Sequence, residues 1–359
     1  MSNSYSVLIL GASYGSLLGS KLLMAGHSVT LVCTPGTAEL INAEGTEVRI
    51  PVRGKEELAV IRSKQLSAPL RARPPSKVDP ADYDLVVLGM SEPQYGSPEV
   101  ADLMARVAAA KVPCMAIMNM PPLPYLKRLP GLDAEQLRAC YAAPEVWDAF
   151  DPGLVTLASP DPQAFRPPNE GKNVLQVSLP TNFKVARFES DVHTRMLEQI
   201  QAGIEAAEYE FADGDSLQLP VKVKVFDSLF VPLAKWSMLM TGNYRCVMKS
   251  NIRPIAEAVH SDIAESEEVY DWVCDLCVRM GADAADMVPF AKYANAAKGL
   301  SKPSSAARAL FGGSQNIERV DKLVRLIGVQ HDMTHTSIDN TVAFVDAHLA
   351  TNREENKSA

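Results

Sequence analysis

The 359-residue chain has no long hydrophobic run, no basic excess and only 6% aromatic residues. Its longest apolar runs are strand-length, well short of the ~20 residues a spanning helix needs, so no membrane partner is expected. Lysine and arginine number 35 against 43 acids, a formal net charge of −8, with no dominant basic cluster. That balance argues against a nucleic-acid partner, which needs a cationic surface to meet phosphates. Cysteine is sparse as well, and six scattered thiols suggest a reducing compartment rather than a disulfide framework. Cys274 and Cys277 form a lone C-x-x-C in a helical stretch, without a second pair or a nearby histidine set. They read as helix packing, and no metal is expected. The opening MSNSYSVLIL has no basic n-region and enters a strand at once, so a cytoplasmic protein is expected. Wholesale disorder is excluded by a hydrophobic content of 47%, and the length allows about two domains.

A complete G-x-G-x-x-G is missing too. In its frame stand Gly11, Ser13 and Ser16, with Gly15 one place early. What surrounds the loop is nevertheless coherent. Val7-Leu8-Ile9-Leu10 is a continuous apolar run, as in a parallel strand buried on both faces. The segment from Ser16 to Ala25 has a helical stripe in Leu17, Leu18 and Leu22, with Gly26 placed as a left-handed C-cap. His27 to Cys33 returns as a second buried strand. Strand, glycine turn, helix and strand open a dinucleotide-binding fold, in which Gly11, Ala12, Ser13, Tyr14, Gly15 and Ser16 would meet a pyrophosphate. The alternative is an ordinary strand-to-helix turn of another α/β protein.

Further along, Thr37–Ala43 reads as a short helix stopped at Gly45, and Val48, Ile50 and Val52 alternate as a strand. The segment 57–66 holds another strand or two, and 67–80 is a Pro- and Arg-rich exposed loop. Tyr83–Gly89 and Cys114–Met118 are buried strands on either side of a helix over Pro98–Ala110. Strands are expected over Gln136–Ala142, Val174–Leu179 and Phe183–Phe188, with a polar, proline-broken excursion over Asp151–Lys172. A helix covers Asp191–Ala207, and Phe211–Leu219 is a turn-rich bridge. From Val225 the apolar period becomes helical throughout, through Phe226–Met248 and beyond. A last helix is expected over Thr341–Ala350, with a fraying polar tail. The division is thus an α/β dinucleotide-binding (Rossmann) domain over 1–215 and an all-α domain over 216–359, for substrate and dimerisation.

Two polar residues stand out of apolar surroundings. Asn119 ends the strand Cys114–Met118, where an amide can orient a ligand through donor and acceptor, or close an Asx-turn. Lys235 interrupts the apolar stretch 226–239. Desolvation there would lower its pKa toward acid–base use, while the plainer reading is a lysine snorkelling to water. Asn243, eight residues on, would share its side of a helix and help line a cleft between the domains.

With Asp227, Lys235 and Asn243 spaced D-x₇-K-x₇-N, an N-ending strand and the later Lys302-Pro303-Ser304-Ser305, the chain resembles ketopantoate reductase. The resemblance implies an NAD(P)-dependent oxidoreductase that reduces a 2-oxo acid-like carbonyl or oxidises the matching alcohol. It implies that Lys235 is the general acid, that Asn119 and Asn243 line the cofactor–substrate cleft, and that Ser305 contacts the substrate carboxylate. It also implies a homodimer, a small-molecule substrate and NADP over NAD.

The departures fall at substrate and phosphate contacts. No basic residue follows the second strand, where Cys33-Thr34 stand, nor an acid for an NAD ribose. Leu239 replaces a helix asparagine, Gly89 and Met90 stand where the family has a lysine, and N-G-x-G has become Asn119-Met120-Pro121-Pro122. The family's substrate-binding glutamate falls at Ile317, with Glu318 adjacent, so it is lost or shifted by one. A substrate other than ketopantoate is expected. The alternatives are a non-catalytic cofactor-binding paralogue and an opine-type dehydrogenase, whose usual base is a histidine; His331 and His335 would be its candidates, though at those positions a solvated or helix-capping histidine is the expected reading.

Overall fold

A computed structural model describes residues 4–358. The basic n-region sought at the very start therefore touches residues 1–3, which lie outside the described residues. Contacts group the chain into two compact units. The first comprises residues up to Met90, Gln94–Met118 and Val146–Asp227; the second comprises Ser91–Pro93, Asn119–Glu145 and everything from Ser228 onward. These bounds differ from a single cut at 215/216, because two early segments go with the late helices and the strand Val223–Phe226 stays in the first unit's sheet.

In the first unit β1 (Ser6–Leu10) leads into α1 (Ala12–Met24), β2 (Ser28–Val32) and α2 (Pro35–Glu44). The main sheet has eight strands: Val223–Phe226, Phe183–Ala186, Val155–Ser159, Cys114–Ile117, Leu85–Leu88, β1, β2 and Leu70–Arg73, in that spatial order. All pairings are parallel except that of Phe183–Ala186 with Val155–Ser159. The central strands bury every side chain; Leu85–Leu88 and Cys114–Ile117 are unbroken apolar runs, whereas Val155–Ser159 also buries Thr156 and Ser159.

A smaller sheet, Ala59–Arg62, Glu47–Ile50, Val174–Leu179 and Gln163–Phe165, shares a core with α1 through Val48, Ile50, Leu175 and Val177. Helix α1 is consequently buried around its whole circumference, from Gly15 through Leu23. Each fully buried leucine there stabilises the fold by roughly 1.5–3 kcal/mol. Even Lys21 is only 1% exposed; its ammonium donates to the Leu219 carbonyl at 3.3 Å, and burial lowers its pKa to about 8.

Several sequence expectations are corrected here. Residues 12–16 are not loop but the first turns of α1, which starts directly after Gly11. The supposed loop 67–80 contains the edge strand Leu70–Arg73, in which Leu70 and Ala72 face the core and the arginines face outward. Charged side chains suit such an edge. The excursion Asp151–Lys172 contains Val155–Ser159, fully buried in mid-sheet, with the Thr156 hydroxyl donating to the Ala186 carbonyl. Gln136–Ala142 is no strand; it holds the helical turn Arg138–Cys140 in the second unit. The bridge 211–219 closes a hairpin of Glu208–Glu210 with Ser216–Gln218. The last helix runs Thr336–Ser358, so the polar tail is helical as far as it is described, Ala359 lying outside the described residues.

Among the described residues the second unit has no strand beyond an isolated Val247–Ile252 bridge. Its helices include Ile263–Arg279, Phe290–Ala297, Ser305–Phe311 and Val320–Gln330, the first two packed around Val259, Tyr270, Phe290, Tyr293 and Ala297. No helix of the described residues is long and apolar enough to cross a membrane.

Candidate functional site

Strand order reverses at β1, which has β2 on one side and Leu85–Leu88 on the other. Ligands of open α/β sheets bind beyond the carboxyl ends of strands at such a reversal. Gly11 sits there with φ +101°, and a Cβ on it would lie 2.8 Å from both the Gly89 carbonyl oxygen and Met90 Cγ. Only glycine fits. Gly15 serves packing instead, since a Cβ would come within 2.6 Å of Ile9 Cγ2. Ser16 turns its hydroxyl inward to the Ser13 carbonyl at 2.8 Å, so serine in the glycine frame does not obstruct the turn. Buried Ala12 adds no bulk beside it. Tyr14 donates to the Pro162 carbonyl at 2.7 Å and stands edge-on to Phe183, which ties the excursion to the first turn of α1.

The N-terminus of α1 has no side-chain cap and no acid in its first turn. Open N–H groups at the positive end of a 13-residue helix suit a phosphate. At the end of β2, Thr34 is exposed and its hydroxyl meets that of Thr37 at 3.0 Å. Arg166, one residue past Gln163–Phe165, acts on the Cys33 thiol and opposes the upward push of burial, so a basic side chain does act at the end of β2.

The second unit gathers Asn119, Lys235 and Glu318. The Asn119 amide nitrogen donates to Glu318 Oε2 at 3.3 Å, while its Oδ1 is buried without a hydrogen-bond partner among the described residues. Trp236, 1% exposed, fixes the backbone of Asn119 by donating from Nε1 to its carbonyl at 3.3 Å. The neighbouring Lys235 is half-buried and acts electrostatically on Glu318. Burial pushes the Glu318 carboxyl above its usual pKa; the Asn119 amide, the Glu92 N–H and the Lys235 charge pull the other way. Tyr244 clamps this loop, its hydroxyl donating to the Glu318 carbonyl and accepting from Val320 N–H at 3.1 Å.

The stretch carrying Lys235 is not one regular helix. It passes from Val231–Ala234 through Lys235–Met238 to a π-helical turn, Leu239–Asn243. Such turns gather at functional sites. A Cβ on Gly242 would lie 2.0 Å from the Tyr293 hydroxyl, which donates to the Met238 carbonyl at 3.0 Å. Leu239 is buried at 4% exposure. The helical spacing that put Asn243 beside Lys235 therefore does not apply; the half-buried Asn243 instead receives, on its carbonyl, the Ser304 hydroxyl at 2.7 Å. Of the serine pair, Ser304 is buried and caps its helix, whereas Ser305 is exposed.

His331 ends the helix Val320–Gln330, and His335 accepts from Ser337 N–H at the start of the last helix, which leaves both in helix-end roles. Among the described residues no group of three His, Cys, Asp or Glu could hold a metal. Sequence reading missed Trp236 and Tyr244, and reached Glu92 only as the end of a strand-end segment, Gly89–Glu92, without giving it a role. Only Glu92 had a signal, an acid three residues past Gly89 at a strand end.

No protein-family model matches the chain, and no curated protein matches it. Solved structures do. A D-mandelate dehydrogenase with NADH and anilino(oxo)acetate aligns at TM-score 0.63 and 12% identity, over 97% of this chain and 99% of that one. The 2-dehydropantoate 2-reductase of Methylococcus capsulatus gives 0.64 and 11%, covering 97% of each. A dimeric ketopantoate reductase from Staphylococcus aureus gives 0.62 and 10%, over 97% and 99%. The chain shares the fold of the ketopantoate reductases along nearly its whole length, including the helical C-terminal part.

Proposed function

We propose that the chain is an NAD(P)-dependent oxidoreductase that reduces a 2-oxo acid-like carbonyl, or oxidises the matching alcohol, and that its substrate is not ketopantoate. The observation that carries this reading is the Asn119–Glu318–Lys235 constellation, with its unpartnered amide oxygen. The chemistry of a bound nicotinamide is hydride transfer. For the dinucleotide, Gly11 clears the turn, and the open N–H groups of residues 12–14 lie at the phosphate-binding end of α1. In the second unit Lys235 would give its proton to the alkoxide oxygen, while Glu318 and Asn119 orient the substrate. Leu239 makes the surroundings less polar than an amide would, which favours a bulkier or less polar substrate.

The structural likeness supports a homodimer, checked by light scattering. The cofactor assignment is tested by thermal melting with NADPH and with NADH, followed by a screen of carbonyl compounds. Either dinucleotide should raise the melting temperature; a null result with both would favour the non-catalytic reading.

A further inference from the structure

Glu92 lies outside the mechanism just given, yet it is only 1% exposed. It opens the helical turn Glu92–Gly96 and belongs to the second unit. Its Oε1 accepts from Ala142 N–H at 3.0 Å, while Oε2 is buried without a hydrogen-bond partner among the described residues. Its own N–H points at Glu318 Oε1, 3.4 Å away. The groups that face it are Glu318, ahead of the helix Val320–Gln330, and Tyr141 and Glu145 from segment 119–145. Both charges acting on it are negative. The cation in the neighbourhood, Lys235, acts on Glu318.

A fully buried carboxyl on which a second carboxylate acts does not ionise readily while the second is charged. Their surroundings are unequal. The Glu318 anion has the Asn119 amide, the Glu92 N–H and Lys235, whereas Glu92 has backbone N–H groups alone. We propose that Glu92 is a positioning residue of this site, forming with Glu318 a carboxyl pair that binds one proton, carried by Glu92, so that Glu318 stays the anion acting on Lys235. In agreement, burial raises Glu92 to about 7, with Glu318 adding to the rise. The titration belongs to the pair rather than to either member. Loss of that proton adds a second negative charge, which strengthens the hold of Lys235 on its own proton and slows reduction.

The kinetic readout rests on the reductase reading; the titration does not. In the full chain carrying ¹³C-carboxyl glutamate, NMR should show one carboxyl titrating near pH 7. That signal should vanish in Glu92→Gln and move down by about one pH unit or more in Glu318→Gln. The absence of any carboxyl titrating between pH 6 and 8, or its persistence unmoved in both variants, overturns the proposal. With NADPH and the best carbonyl of the screen, kcat/KM of the parent should fall about tenfold per pH unit above the pair's titration. Glu92→Gln should lack that limb, and an unaltered limb would again overturn the pair's role. A carboxyl titrating as described with no carbonyl reduced would sink the reductase reading and leave the pair standing.

Discussion

Hydride addition to a carbonyl builds negative charge on oxygen, and a donor held there in advance gains most as that charge grows. At Lys235 this gives a direct expectation. Lys235→Ala should lower kcat by about 10²–10⁴-fold while cofactor Kd stays nearly constant. Lys235→Arg should be slow as well, since a guanidinium keeps its proton. If Lys235→Met turned over like the parent, the lysine would have no part in the chemistry. Leu239 supports a second expectation. A buried polar group left unpaired costs about 1–3 kcal/mol, and the amide a polar substrate would use is absent there. Ketopantoate should therefore turn over poorly in steady-state assays, and Leu239→Asn should improve it.

At the scale of elements, Gly11 and Gly242 each mark a place that excludes a side chain, the first through its positive φ and the Gly89 carbonyl, the second through the Tyr293 hydroxyl. Gly11→Val puts a β-branched residue where even a Cβ meets Gly89, and calorimetric NAD(P)H affinity should collapse. Gly242→Ala drives into the Tyr293 hydroxyl and should disturb the π turn that follows Lys235, lowering thermal stability and kcat together. Arg166 gives a third test at this scale: Arg166→Ala should weaken NADPH binding more than NADH binding.

The same elements show what the text of the chain could and could not convey. The unit β1–α1–β2 was legible because full burial writes itself as unbroken apolar runs. Leu70–Arg73 was not, since only Leu70 and Ala72 of this short edge strand turn inward and its arginines read as loop. Val155–Ser159 was hidden by the prolines on either side of it. Asn119 and Lys235 were legible as polar residues in apolar text. The partnership of Glu92 with Glu318 spans 226 positions and leaves no local pattern.

For the molecule as a whole, the raised Glu92 pKa ties stability to pH. Its carboxyl moves from an ordinary 4.5 to about 7 on folding, so the folded chain binds the proton more tightly than the unfolded one. The cost is absent below pH 4.5, grows between 4.5 and 7, and is constant above that, reaching ~3 kcal/mol. Glu92→Gln should consequently gain stability relative to the parent across that window. Paired thermal melts at pH 5 and pH 8 read the difference, and equal gaps at both would contradict it.

The second unit is assembled from three separate stretches of chain. It follows that the gene cannot be cut into two portable halves. A fragment starting at residue 228 carries Lys235 and Glu318 but neither Glu92 nor Asn119. A crossover with a distant homologue anywhere between positions 120 and 227 would join one lineage's Glu92 and Asn119 to another's Lys235 and Glu318. Inheritance should therefore move these four residues as a block, and chimaeras with breakpoints in that interval should fold less often than those joined outside it.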